Sequence, residues 1–281
     1  MNRGGRGGAF RTLRRTGAWA GFGYAALLLT VGCVQRRLLY HPPQLGPEEG
    51  NRLAEHHRFQ PWTNAAGVRI GWSRSRSGTA AGGCVLITHG NAGAAAERAY
   101  LVDPIQAGSD LDVYVLEYPG FAGSPGTPSQ DSLTAAAGEA LTLLGSRRPV
   151  YLVGESLGTG VACFLAGTRP TEVAGVILLT PFDHLSAVAA HHYPWLPVRM
   201  LLLDRFPSDL WLKQYAGPVG IVVGTADRVI PARFGHRLHD GYSGPKRLWE
   251  YQGEDHWEAS HRPPEWWRES LGFLREAADG R

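Results

Sequence analysis

The stretch Val150-Tyr151-Leu152-Val153-Gly154-Glu155-Ser156-Leu157-Gly158 carries the reading of the fold. Four apolar residues form a short buried strand, and Gly-x-Ser-x-Gly follows without a spacer. Residues 157–167 are small and apolar all round, the composition of a helix packed inside a protein. A serine at a sharp strand-to-helix turn is exposed and held still. Both conditions help a hydroxyl to act as a nucleophile once a base takes its proton. Glycine suits the flanking positions because a Cβ there would collide with the neighbouring strand or helix. In a chain with 37 glycines the five-residue motif alone carries little weight, so the strand before it and the helix after it give it meaning.

Outward from this turn, strands and helices alternate. Short apolar or β-branched runs predict strands at 68–73, 84–88, 113–118, 150–154, 175–180, 220–224 and 247–251. Helical spacing marks 132–144 and 264–278, and 75–83 has the composition of a solvated loop. Such alternation implies a mainly parallel sheet covered on both faces.

Three further motifs suit the serine. Upstream, Cys84-Val85-Leu86-Ile87-Thr88-His89-Gly90-Asn91-Ala92-Gly93 is a strand running into a flexible loop, where backbone N–H groups can stabilise negative charge on a carbonyl oxygen. The oxyanion donors are assigned to Leu157 and Asn91, with Ala92 as an alternative, and His89 is read as a brace for the loop. Downstream, Ile221-Val222-Val223-Gly224-Thr225-Ala226-Asp227 ends a strand at an acid that can orient an imidazole, with Asp183 as its rival. His256, in the loop after the last strand, is the general base, with His261 as runner-up. His236 and His239 fall in a surface helix, and Glu254 and Asp255 read as loop-solvating.

The order oxyanion loop, Ser, Asp, His over residues 60–278 resembles the α/β-hydrolase superfamily. His89-Gly90-Asn91-Ala92-Gly93 and Glu117-Tyr118-Pro119-Gly120-Phe121-Ala122-Gly123 narrow the likeness. They are similar to the membrane-anchored, depalmitoylase-like branch and its bacterial relatives. Two departures are visible: Glu117-Tyr118-Pro119-Gly120-Phe121-Ala122 stands where that branch usually has Asp-Tyr-Arg-Gly-Tyr-Gly, and Thr159 where a second glycine is common. Neither touches the triad. The resemblance implies an α/β-hydrolase fold of about eight strands, helices on both faces and a small cap. It also implies a Ser156-His256-Asp227 triad that cleaves a carboxylic ester or thioester through an acyl-enzyme. A peptidase or an acyltransferase could use the same residues, and a binding protein on an inactive scaffold is the non-enzymatic alternative.

The rest of the chain bears on location and substrate. The net charge is +3, yet residues 1–37 hold seven arginines and no acid, which leaves 21 basic and 25 acidic residues beyond them. The positive excess therefore belongs to the tail, and no nucleic-acid surface is expected. Residues 17–34 are uncharged and as long as a short membrane span. Arginines dominate on the N-terminal side, so the reading is a membrane anchor with the catalytic domain outside the cytoplasm, in the periplasm. A lipoprotein signal ending at Cys33 and an ordinary cleaved signal are the competing readings. The expected organisation is a basic N-terminus and anchor at 1–37, a linker at 38–59 with the prolines Pro42 and Pro43, and a catalytic domain at 60–281. An apolar insert at 184–216 reads as a cap or as a helix pair packed on the sheet, so the expected partner is a small-molecule or acylated substrate. Three cysteines make no closed disulfide framework, and His191-His192 lack metal-ligand partners, so neither cofactor nor metal is expected.

Overall fold

Strands buried at every position, as those from Cys84–Thr88 to Val219–Gly224 are, need a packed layer on both sides, and the chain supplies both. The computed structural model describes residues 6–76, 82–145, 147 and 149–279, with side chains from residue 19 onward except 20, 47 and 279. The expected loop at 75–83 thus lies largely outside the described residues. One eight-stranded sheet runs β1-β2-β4-β3-β5-β6-β7-β8. Its strands are β1 (Gln60–Thr63), β2 (Arg69–Arg74), β3 (Cys84–Thr88), β4 (Asp112–Leu116), β5 (Val150–Glu155), β6 (Gly175–Leu179), β7 (Val219–Gly224) and β8 (Lys246–Tyr251). β2 is antiparallel to β1 and β4, and the other pairs are parallel.

The helices are α1 (Arg6–Leu39), α2 (Pro47–His56), α3 (Ala99–Gly108), α4 (Gln130–Leu143), α5 (Leu157–Thr168), α6 (Leu185–His192), α7 (Val198–Leu201), α8 (Ser208–Leu212), α9 (Arg233–Gly241) and α10 (Pro264–Asp279). Leu86, Leu152 and Leu178 of the sheet pack with Leu133, Val161, Leu212 and Leu238, so α4, α5, α8 and α9 cover one face. Val85, Ile87, Val153 and Ile177 point the other way, onto Leu101 of α3 and Trp267 of α10. After β3 the chain crosses to β4 on one side of the sheet and later returns to β5 on the other. The loops leaving β3 and β5 therefore diverge and open a crevice at their carboxyl ends, the usual place for a ligand in such a sheet.

Three elements differ from the sequence reading. Part of the expected linker is α2, which starts with Pro47 in its first turn and carries Glu48 and Glu49 near its positive end. The 38–59 stretch also places Tyr40, Ala54 and Phe59 in the core. β1 and α3 were not anticipated: β1 has only four residues, one of them Pro61, and Pro104 interrupts the helical signal of α3. The insert at 184–216 holds α6, α7 and α8, closed at its base by a bridge between His184 and Pro207. Residues 17–34 lie within α1. Among the described residues no helix is long and apolar enough to cross a membrane, and the expected span falls in part on residues whose side chains are not described.

Candidate active site

β5 ends in a turn that forces Ser156 to φ 51° and ψ −119°, a conformation that side chains resist. Close approach explains the turn. A Cβ on Gly158 would overlap the Thr88 carbonyl of β3, and one on Gly154 would lie 2.7 Å from the Thr159 Cα. The Ser156 N–H donates to Leu179 O at 2.9 Å, and Thr159 Oγ1 donates to Ser156 O at 2.6 Å, so both sides of the turn are held.

Asp227 follows β7 and is buried. Its Oδ1 accepts from the N–H groups of Val229 and Ile230, each at 2.8 Å, which leaves Oδ2 for His256 Nδ1 at 2.6 Å. His256 Nε2 lies 3.0 Å from Ser156 Oγ. With the proton on Nδ1, the ring donates to Asp227 and its Nε2 accepts from the serine hydroxyl. The three side chains anticipated from sequence therefore form one chain of contacts, each from the carboxyl end of a different strand. Their rivals lie elsewhere. Asp183 pairs with Arg237 at 2.8 and 3.0 Å, and His261 stacks on Tyr100 with its Nδ1 donating to Trp257 O at 2.7 Å. His236 contacts Glu250. Among the described residues no group of three or more His, Cys, Asp or Glu side chains is arranged to hold a metal.

The loop after β3 is pinned from several directions. Gly90 lies against the serine, so a Cβ there would be 3.5 Å from the Ser156 Cβ. The Asn91 side chain donates to Leu39 O at 2.7 Å, and the His41 N–H donates to Asn91 O at 2.8 Å. Among the described residues neither the Asn91 nor the Leu157 N–H has a protein acceptor. His89 is fully buried, with Nδ1 2.8 Å from Gly90 O and its own carbonyl accepting from Tyr118 Oη at 2.8 Å. Burial, then the nearby Arg98 cation, hold its pKa well below the usual imidazole value, so it braces the loop as a neutral ring.

Sequence reasoning missed the buried Glu155, inside the quoted motif. Its carboxylate takes the Tyr100 hydroxyl and lies 3.8 Å from Arg98 Nε, while Arg98 donates to the Ala92 carbonyl. This network joins the serine turn to the loop after β3. Only the charge within an otherwise apolar stretch could have signalled it.

Ser156 stands between two pockets. One, about 200 Å³, is apolar and lined by Leu39, Leu157, Phe182, Leu185, Val188 and Ile230 among others. The other, about 410 Å³, lies on the side of Arg98, Glu97, Tyr100 and Trp257.

The family profile for the alpha/beta hydrolase fold matches residues 83–210, which hold the loop after β3, the serine turn and much of the insert at 184–216. The chain belongs to the alpha/beta hydrolase family. A Mycobacterium tuberculosis relative, Rv2307c, is 34% identical over 83% of this chain and 84% of its own length. The zebrafish lysophosphatidylserine lipase ABHD12 is 29% identical, over 74% of this chain and 60% of its own length. Among solved structures, Est1E from Butyrivibrio proteoclasticus bound to ferulic acid superposes with a TM-score of 0.59 at 16% identity, over 77% of this chain and 97% of Est1E. At that identity the likeness concerns the α/β-hydrolase fold alone.

Proposed function

We propose that this family member is a serine hydrolase cleaving a carboxylic ester or thioester. The observation that carries the reading is the contact chain from Asp227 through His256 to a serine held at a strained turn. His256 Nε2 takes the hydroxyl proton as Ser156 Oγ bonds to the carbonyl carbon. The C=O π pair moves onto oxygen, where the N–H groups of Leu157 and Asn91 receive the charge. Asp227 holds the ring and stabilises the imidazolium. Collapse of the adduct expels the alkoxide or thiolate, which takes the proton from His256, and water then releases the acid by the same steps in reverse order of roles.

The two pockets suggest a substrate with an apolar acyl chain and a polar leaving group, split at Ser156. The lysophospholipid named for the ABHD12 relatives has that chemistry. Membrane attachment through α1, with the catalytic domain outside the cytoplasm, completes the proposal and agrees with the arginine bias of the tail. A fluorophosphonate probe should label the protein, and labelling that survives Ser156→Ala would overturn the assignment.

A further inference from the structure

Outside α1, where Trp19, Phe22, Tyr24, Leu27, Leu29 and Leu38 are exposed, most of the large exposed apolar side chains of the described surface lie on or beside the cap. Tyr193, Trp195, Met200 and Leu203 on the cap, Val229 beside it and Leu38 at the end of α1 all face solvent, with Met200 at 82%, Leu203 at 61% and Trp195 at 58%. Scattered exposed hydrophobics are ordinary, whereas a cluster of this kind marks a contact site. Two of them, Tyr193 and Val229, also line the apolar pocket at Ser156, so the patch is the rim of that pocket. Hydrogen bonds tie α1 to the same region. Tyr24 donates to Trp195 O at 3.0 Å, Gln35 donates to Leu201 O at 3.1 Å, and the Leu203 N–H donates to Gln35 Oε1 at 2.8 Å.

The charges in the patch share one sign. From 184 to 206 the fully ionised side chains are Arg199, Asp204 and Arg205. Asp204 is buried and paired with Arg36 at 3.0 Å, which leaves Arg199 and Arg205 exposed, with Arg37 exposed at the end of α1. Apolar side chains interleaved with exposed arginines suit a bilayer that contains anionic lipid, the apolar groups entering the acyl region and the cations meeting phosphate. A second copy of this chain would bring like charges together, and an acidic protein would leave the apolar rim unmatched.

We infer that the cap face, rimmed by Tyr193, Trp195, Met200, Leu203, Val229 and Leu38, docks on an anionic lipid surface and opens the apolar pocket toward the acyl layer. The inference rests on the proposed ester hydrolase with α1 in the membrane, and it adds an orientation. The contacts of Tyr24 and Gln35 already hold the cap beside α1, and docking adds the contact of the exposed rim with lipid. With it, an acyl chain passes from bilayer to Ser156 without crossing water.

The test places an environment-sensitive fluorophore on single cysteines in the full chain. Cys33 is exchanged for serine, and Cys84 and Cys163 are buried and so stay unlabelled. Labels go on Met200→Cys, Leu203→Cys and, as control, Leu143→Cys at the end of α4, exposed but far along the chain from the cap. On vesicles of phosphatidylcholine and phosphatidylglycerol, the labels at 200 and 203 should brighten severalfold and be quenched by nitroxide-bearing lipid, with the label at 143 unchanged. Equal behaviour at all three sites overturns the inference, as does a response at 200 and 203 that follows protein concentration without vesicles. Fluorophosphonate labelling of the same samples reports the hydrolase separately, so failure of docking and failure of the serine assignment give different results.

Discussion

Ser156 shows what a sharp strand-to-helix turn costs its own backbone. A non-glycine residue at φ 51° and ψ −119° is strained by about 1–3 kcal/mol. Glycine relieves that strain, so Ser156→Gly should be more stable than Ser156→Ala by about 1 kcal/mol in urea denaturation, with both variants inactive. Gly158→Ala should do the reverse. Its methyl would meet backbone at Thr88, and the loss should exceed about 3 kcal/mol, read as a fall in thermal midpoint or in soluble yield. Glu117 provides a pH signature. Burial pushes its carboxyl up to about 7, against the lowering effects of the Ala95 N–H and of Arg69 and Arg98. A raised folded-state pKa favours the protonated native form, so its stabilisation is complete below the ordinary carboxylate pKa and is lost as pH rises through 7. Relative to Glu117→Gln, the thermal midpoint of the unaltered protein should therefore decline between about pH 5 and about pH 8. The contact chain of Ser156, His256 and Asp227 was legible because each residue follows a strand with its own local signal. Glu155, Arg98 and Tyr100 were not, because their pairing exists only after β5 and the loop before α3 come together.

At the scale of elements, strands buried on both sides were read well: the runs at 84–88, 150–154 and 220–224 are β3, β5 and β7 to within a residue. β1 and α3 escaped because Pro61 and Pro104 weaken the patterns by which strands and helices are recognised. The stretch from α1 to α2 is the larger surprise. Read as a basic N-terminus with a membrane anchor and an extended linker, it also sends Arg36 to Asp204 with paired hydrogen bonds of 3.0 and 3.1 Å, adds Tyr40 to the same carboxylate, and lays His41 beside Ala92. Prolines at 42 and 43 describe an irregular backbone but say nothing of what it packs against. Arg36→Ala should strip Asp204 of a charged partner and cost about 1–3 kcal/mol, discounted from a fully buried pair because Arg36 is half exposed. A double-mutant cycle with Asp204→Asn would measure the coupling.

Across the whole molecule, the sheet gathers one line of contacts, Asp227–His256–Ser156, from three strand ends and leaves space on two sides of it. The asymmetry of those spaces predicts selectivity. Val188 is buried in the wall of the apolar pocket, so Val188→Trp should cut kcat/KM for long acyl chains about tenfold while acetyl esters remain good substrates. A chain-length series of p-nitrophenyl esters reads this directly. The size of that pocket was beyond sequence, because its walls come from α1, the cap and the loop after β7, segments far apart in the chain.

The Arg36–Asp204 clamp also bears on maturation. Cys33 precedes Gln35, Arg36, Leu39 and Tyr40, so a peptidase that cut just ahead of Cys33 would leave every clamp residue on the mature chain. A cut between Tyr40 and Pro47 would instead sever the cap's counter-ion from the domain it steadies, together with the His41 contact to Asn91 if it fell beyond that residue. Trimming that spares the clamp must therefore stop short of Gln35, within α1.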